Sequence, residues 1–183
     1  MTASEPYLLA QARTGDQGAF RQLVLAHEAR VRSTAFGMLG DESTAEDIAQ
    51  EVFIKLYQNL NTFRGDSKLS SYLIRMTINH SLNELKRRKR KSRWLSWDAE
   101  QVPQLEDHAA HPDRSDTKSM VQQALKLLPT DFRTVVVLRL IEGYSVKETA
   151  QVLKLPEGTV ASRLARAQKK LKTIFEQWDA LVK

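Results

Sequence analysis

The sequence predicts an all-α chain: two small helical domains, an N-terminal helical bundle and a C-terminal helix-turn-helix, joined by a flexible acidic linker. Three observations predict it. Only 7 glycines and 5 prolines punctuate 183 residues, and Val, Ile, Thr and aromatic residues never alternate cleanly with polar ones over six positions, as a half-buried strand would require. Apolar residues instead recur at helical spacing between cap and stop signals. Finally, charge is blocked along the chain. Residues 1–97 carry a net +5 and residues 117–183 a net +6, while residues 98–116 hold six acids and one arginine.

Taken in order, helices are expected near 5–14, 16–39, 43–60, 67–90, 117–128, 131–142, 145–153 and 157–179. Asp16 follows Gly15 as an N-cap. Ser43–Glu46 and Ser145–Glu148 match the capping box, in which a hydroxyl and a glutamate three residues on satisfy each other's backbone N–H groups. Gly40 and Gly143 supply stops, and Gly65-Asp66 breaks the chain. Thr134–Ile141 could form a short buried strand, but the spacing of Leu125, Leu128, Phe132, Val135, Val136 and Leu140 fits a broken helix pair better, with Pro129-Thr130-Asp131 as turn and cap. Ser92–Asp116 has two prolines, several acids and no sustained period. It reads as a linker able to span roughly 80 Å when extended, enough for the two blocks to sit on separate sites of one large partner. The domain limits are therefore 1–91, 92–116 and 117–183.

The chain has no cysteine, which excludes disulfide scaffolds, thiol chemistry and Cys-ligated zinc. No apolar run nears the ~20 residues of a bilayer span, and the first sixteen residues lack a secretory pattern. A soluble intracellular protein is expected, without membrane insertion. Its two basic blocks suit a polyanion.

The C-terminal block carries the clearest motif. Ser145–Leu153 is a short capped helix, Lys154–Gly158 a tight turn, and Thr159–Leu171 a longer basic helix. This is the helix-turn-helix order. At 100° per residue, Val160, Leu164, Ala167 and Leu171 form an apolar stripe. Thr159, Ser162, Arg166 and Lys169 fall opposite, flanked by Arg163 and Lys170. Hydroxyls and cations near a helix N-terminus can reach phosphates and base edges in a major groove. An ordinary solvated basic face is the alternative, and cap, turn and stripe together weigh against it.

In the N-terminal block, Ile48, Val52, Phe53, Leu56, Tyr57 and Leu60 should fill a buried arc, leaving Asp47, Gln50 and Glu51 outside with Ile54 among them. An apolar residue inside an acidic patch fits a protein-docking surface, although a solvated face with one stray isoleucine fits the period as well. Asn61–Lys68 is a polar loop carrying Phe63, Arg64, Asp66 and Ser67. The next helix holds Tyr72, Arg75, Asn79, His80 and Asn83 and ends in seven cations over residues 86–93, Arg87 and Arg88 among them, followed by Trp94 and Trp97. Aromatic, Arg and Asn side chains can stack on and pair with unpaired bases while the basic end grips phosphates. Core packing is the alternative for the aromatics. Asp47, Glu51 and His80 could be read as an enzyme site, but no phosphate loop, metal-spaced His pair or nucleophile motif supports it, and no metal or cofactor is expected.

Gly15–Phe20, Ala45–Phe53, Phe63–Ser67, Leu128-Pro129, Tyr144–Ala150 and Pro156–Arg163, in this order and spacing, resemble the bacterial extracytoplasmic-function sigma factors, over about residues 10–90 and 118–175. The resemblance implies a stress-type, cytoplasmic transcription initiation factor, not an enzyme. Asp47, Gln50, Glu51 and Ile54 would dock on the clamp helices of the largest subunit of core RNA polymerase. Phe63, Arg64, Asp66, Ser67 and Lys68, with Asn79 and Asn83, would capture a flipped −10 base. Arg75, Arg87 and Arg88 would hold the upstream edge of the melted DNA. Thr159, Ser162, Arg163, Arg166 and Lys169 would read the −35 element. An anti-sigma factor is the implied regulator. Two departures stand out: Tyr72 occupies a position where the family often has Trp, and Ala161 one where many members have Lys or Arg. A free-standing helix-turn-helix regulator is the rival reading, and it leaves the Phe63–Lys68 loop and the acidic helix without a role.

Overall fold

The computed structural model describes residues 4–63, 65, 67–98 and 117–180, of which the side chains of 94–98 and 118 are not described. Among them there is no strand. The helices are α1 (Glu5–Arg13), α2 (Gln17–Leu39), α3 (Glu42–Gln58), α4 (Leu69–Asp98), α5 (Thr117–Leu127), α6 (Thr130–Val136), α7 (Val146–Leu153) and α8 (Glu157–Ala180), with a π-helical turn at Val137–Ile141 between α6 and α7.

In the first block α2 lies at the centre, with α1, α3 and α4 against it. Leu23, Met38, Leu56, Leu73, Ile74 and Ile78 form its dry interior. Asp16 caps α2 as expected, its carboxylate accepting from the N–H groups of Gly18 and Ala19. Gly40 ends α2 in the left-handed conformation (φ 66°). A side chain there would also strike the Lys126 stem, which crosses it.

Several boundaries differ from the expectation. The cap of α3 is Asp41, which accepts from Thr44 N–H at 3.0 Å, so Ser43 lies inside the helix rather than heading a capping box. Asp41 outcompetes the hydroxyl because a carboxylate is the stronger acceptor at a positive helix end. Tyr57, expected inside, is half exposed and meets Phe20 edge-on at 5.0 Å. Residues 134–141 are neither strand nor plain α-helix: α6 passes into the π turn, with Glu142 N–H bonded to Val137 O at 2.9 Å. Helix α4 continues to Asp98, past the expected linker start at Ser92. The rest of that linker, residues 99–116, lies outside the described residues.

The second block packs α8 against α5, α6 and α7. The two blocks also pack on each other. Val137, Leu138 and Tyr144 join the core of the first block, and Gly37 of α2 lets the Val137 side chain approach so closely that an added Cβ would sit 3.2 Å from it. Arg133, buried on the seam, donates to Met38 O (2.8 Å), Lys126 O (2.7 Å) and Leu128 O (3.2 Å), tying the ends of α2 and α5 together. Burial lowers the pKa of this guanidinium.

Candidate nucleic-acid interface

The capping box at α7 forms as predicted. Ser145 Oγ accepts from Glu148 N–H at 3.1 Å, and the Glu148 carboxylate accepts from Ser145 N–H at 2.8 Å. The backbone N–H of Ser145 is the main reason the Glu148 carboxyl sits below its usual range. Lys154 turns the chain in the left-handed conformation (φ 53°), and Leu155 N–H returns to Ala150 O at 3.0 Å. Two apolar clusters then orient α8: Val160 packs with Val135 and Ala150, and Ala167 with Leu125, Leu128 and Val136.

That leaves Ser162, Arg166 and Lys169 exposed on α8, with Thr159 partly buried at its start. Ser162 Oγ donates to Thr159 O at 3.0 Å. Arg163 is drawn aside into a 2.7 Å ion pair with Asp131. Arg166 and Lys169, with Lys170, rim an open groove of about 630 Å³ floored by Leu127, Phe132 and Ile174. Arg166 and Lys169 thus flank the groove, and Ser162 lies one turn before Arg166 on the exposed side of α8.

In the first block, Asp47, Gln50, Glu51 and Ile54 are all exposed on one side of α3. Tyr57 extends this arc, so the apolar part is a pair rather than a stray isoleucine. Glu51 is held by His80 of α4, whose Nδ1 lies 2.9 Å from the carboxylate. This is the contact that the enzyme reading of Asp47, Glu51 and His80 would need, and Asp47 has no part in it.

Along α4, Arg75, Asn79 and Asn83 are exposed at four-residue spacing. One helical face thus carries them, and Lys86 and Arg90, also exposed, continue it at the next turns. Arg87, also exposed, follows Asn83 by four residues, whereas Arg88 is turned toward α3. Both chelate Glu84, Arg87 at 2.6 and 2.9 Å and Arg88 at 2.9 Å. Arg88 also reaches Thr44 Oγ1 at 2.5 Å and Asp41 at 3.5 Å, so it fastens α4 to the start of α3. The Arg87 hydrogen bond is the main cause holding the Glu84 carboxyl at about 2.

Phe63 is buried, its ring centroid 5.0 Å from that of Tyr72, and Tyr72 in turn lies under the Arg75 guanidinium at 6.0 Å. Phe63 thus takes the core role, and the half-buried Tyr72 backs it. Ser67 and Lys68 are exposed. They border a cleft of about 330 Å³ whose far wall is Tyr144, Glu148 and Gln151 of the second block. Arg64, Asp66 and the side chains of Trp94 and Trp97 lie outside the described residues.

Comparison with known proteins agrees with this layout. Residues 23–91 match the model for Sigma-70 region 2 and residues 118–171 that for Sigma-70, region 4. The chain is 36% identical to the RNA polymerase sigma-H factor of Pseudomonas aeruginosa over 88% of both chains. It is 31% identical to the ECF RNA polymerase sigma factor SigW of Bacillus subtilis, covering 90% of this chain and 92% of that one. The chain belongs to the ECF sigma factors. It is an alternative sigma factor, a transcription initiation factor, and the free-standing regulator is not favoured. Among solved structures, CnrH in complex with the cytosolic domain of CnrY superposes with a TM-score of 0.69 at 28% identity, covering 94% of this chain and 97% of that one.

Three features of this sigma factor escaped the sequence reading. Arg13 of α1 donates from Nε to Leu60 O at 3.1 Å and from Nη2 to Phe63 O, gripping the loop before α4; an arginine ending a helix carries no signal for partners 47 and 50 residues away. Glu142, given no role from the sequence, binds Arg30 and Thr34 across the seam. Lys86 and Arg90 could have been found by projecting the basic run at 100° per residue, which puts them in line with Arg75, Asn79 and Asn83. Among the described residues, no helix is long and apolar enough to cross a membrane.

Proposed function

We propose that this sigma factor acts in the cytoplasm as a non-enzymatic subunit of RNA polymerase, divided into a docking and −10-reading unit (1–91), a linker (92–116) and a −35-reading unit (117–183). Asp47, Gln50, Glu51 and Ile54, with Tyr57, dock on the clamp helices of the largest subunit. Ser67, Lys68, Arg75, Asn79 and Asn83, extended by Lys86 and Arg90, take the −10 strand. Arg64 and Asp66 belong to the same loop. Thr159, Ser162, Arg166 and Lys169 contact the −35 duplex, and Arg163 joins them when it leaves Asp131. Arg88 supports this surface by bracing α4 on the start of α3, and the exposed Arg87 adds its charge to it.

One observation carries the reading: an acidic arc with an exposed apolar pair on α3 lies beside a cation-and-amide stripe on α4, joined at Glu51–His80 (2.9 Å). A charged patch around an apolar centre fits a protein partner, and a row of amides and cations fits an unpaired strand. The likeness to CnrH, solved in complex with the cytosolic domain of CnrY, supports control by a bound regulatory protein, which we take to be an anti-sigma factor. Run-off transcription with core polymerase on a genomic library, followed by sequencing of start sites, tests the whole. D47A/E51A should lower core affinity by at least tenfold, since losing one side of a desolvated interfacial charge pair costs about 2–5 kcal/mol. Unchanged affinity would remove the docking assignment.

A further inference from the structure

We propose that Arg13 is a positioning residue for −10 recognition: from the end of α1 it fixes the point at which the loop before α4 leaves the core. This rests on the reading of that loop and the α4 stripe as the −10 surface. Helix α1 is itself anchored independently, with Leu8, Leu9 and Ala12 in the core. Its last residue, Arg13, is exposed, and its guanidinium holds the carbonyls of Leu60 and Phe63 at once. Those residues bury their side chains, at 4% and 8% exposure, whereas Gly65, Ser67 and Lys68 just beyond are exposed. The two carbonyls are therefore the lip where chain passes from core to solvent.

A planar fork fixes the spacing and direction of two acceptors in a way one ammonium cannot. The grip also propagates. Phe63 packs on Tyr72 and Tyr72 lies beside Arg75, the first member of the stripe, so Arg13 sets the loop and the stripe against each other. Among the described residues the partners of this guanidinium are carbonyl oxygens, not a carboxylate.

The test compares wild type, R13M and R13K, as full chains bound to core polymerase. The probe is the single non-template strand spanning the −10 segment of the strongest promoter found by run-off mapping. R13M should bind it about tenfold more weakly, as the loss of charge-assisted hydrogen bonds implies. R13K, with the charge kept and the fork gone, should recover only part. Core affinity and binding of a −35 duplex should stay within twofold for both. Wild-type affinity in R13K would assign the residue to charge alone, and wild-type affinity in R13M would leave it no role; either overturns positioning, as would a parallel fall in core affinity. If R13M does not fold, R13K decides. A wild-type protein that fails to bind the strand would instead overturn the −10 surface itself, and Arg13 with it.

Discussion

Helix α2 is buried on two sides, and the two sides are built differently. Toward α1, α3 and α4 its neighbours are a predominantly apolar interior, with Leu23, Met38, Leu56, Leu73 and Ile78 almost wholly excluded from water and Thr77 and Ser81 of α4 also buried. Toward the second block the apolar centre is small, formed by Val137, Leu138 and Tyr144, and its margin is polar. Glu142, its side chain 4% exposed, accepts from Arg30 Nε at 2.7 Å and Thr34 Oγ1 at 2.6 Å, and Arg30 also lies over the Tyr144 ring at 5.4 Å. Water can replace those polar bonds when the blocks part; nothing can replace the interior's lost burial. The first surface thus makes a permanent unit. The second has the mixed composition of a junction between domains, and we propose that the blocks part there when both promoter elements are bound.

The largest effect should come from the interior. Leu56→Ala removes a fully buried side chain and should cost about 2–5 kcal/mol, lowering the melting temperature followed by helical circular dichroism. A cost under about 1 kcal/mol would erase the contrast between the two faces of α2.

At the seam, Gly37→Leu should separate the blocks without unfolding them. A Cβ at Gly37 would already stand 3.2 Å from Val137 Cγ2 and 3.6 Å from Ile141 Cδ1, so a branched side chain has no room. Glu142→Ala should act in the same direction by removing the acceptor of Arg30 and Thr34, weakening the seam by about 1–3 kcal/mol. Small-angle scattering should report a larger radius of gyration for both variants, with helix content retained. Loss of helix in step with expansion would mean that the seam is part of one indivisible core.

The contrast also marks what could be read in the chain. The helices, the Ser145–Glu148 box and the apolar stripe of α8 were legible because each is written in residues within a few positions of one another. The exposed arc of α3 was legible for the same reason. The seam was not: Gly37, in the last turn of α2, looks like a mild defect until Val137 is set against it, one hundred residues away. Phe63 was ambiguous because an aromatic ring serves a core and a stacked base equally well; the structure buries it against Tyr72. Asp41 displaced Ser43 as a cap because two adjacent candidates differ in acceptor strength, not in pattern. The ion pairs of Arg87 and Arg88 with Glu84 were not legible, because a run of cations shows where charge is dense but not which members find a carboxylate.

The smallest effect separates two glutamates that both bind arginine. Glu142 closes the seam, whereas Glu84 works within the first block, where its bonds to Arg87 and Arg88 hold its carboxyl at about 2 against an ordinary 4.5. A carboxyl whose folded pKa lies below its unfolded value contributes stability above the unfolded value and loses it as pH falls through the folded one. The Glu84 contribution should therefore be complete above about pH 5 and fade between about pH 4.5 and 2. Helix pairs at i,i+3 and i,i+4 are worth only a few tenths of a kcal/mol each, so Glu84→Gln should cost roughly 0.5–1 kcal/mol at pH 7. Asp41, which also sits below its usual range through its bond from Thr44, titrates in the same acid region, so the informative quantity is the difference between wild type and Glu84→Gln in urea unfolding, measured from pH 7 down to pH 2.5. That difference should shrink as pH falls. A difference constant across the window would mean that the two arginines do not hold the carboxylate in solution.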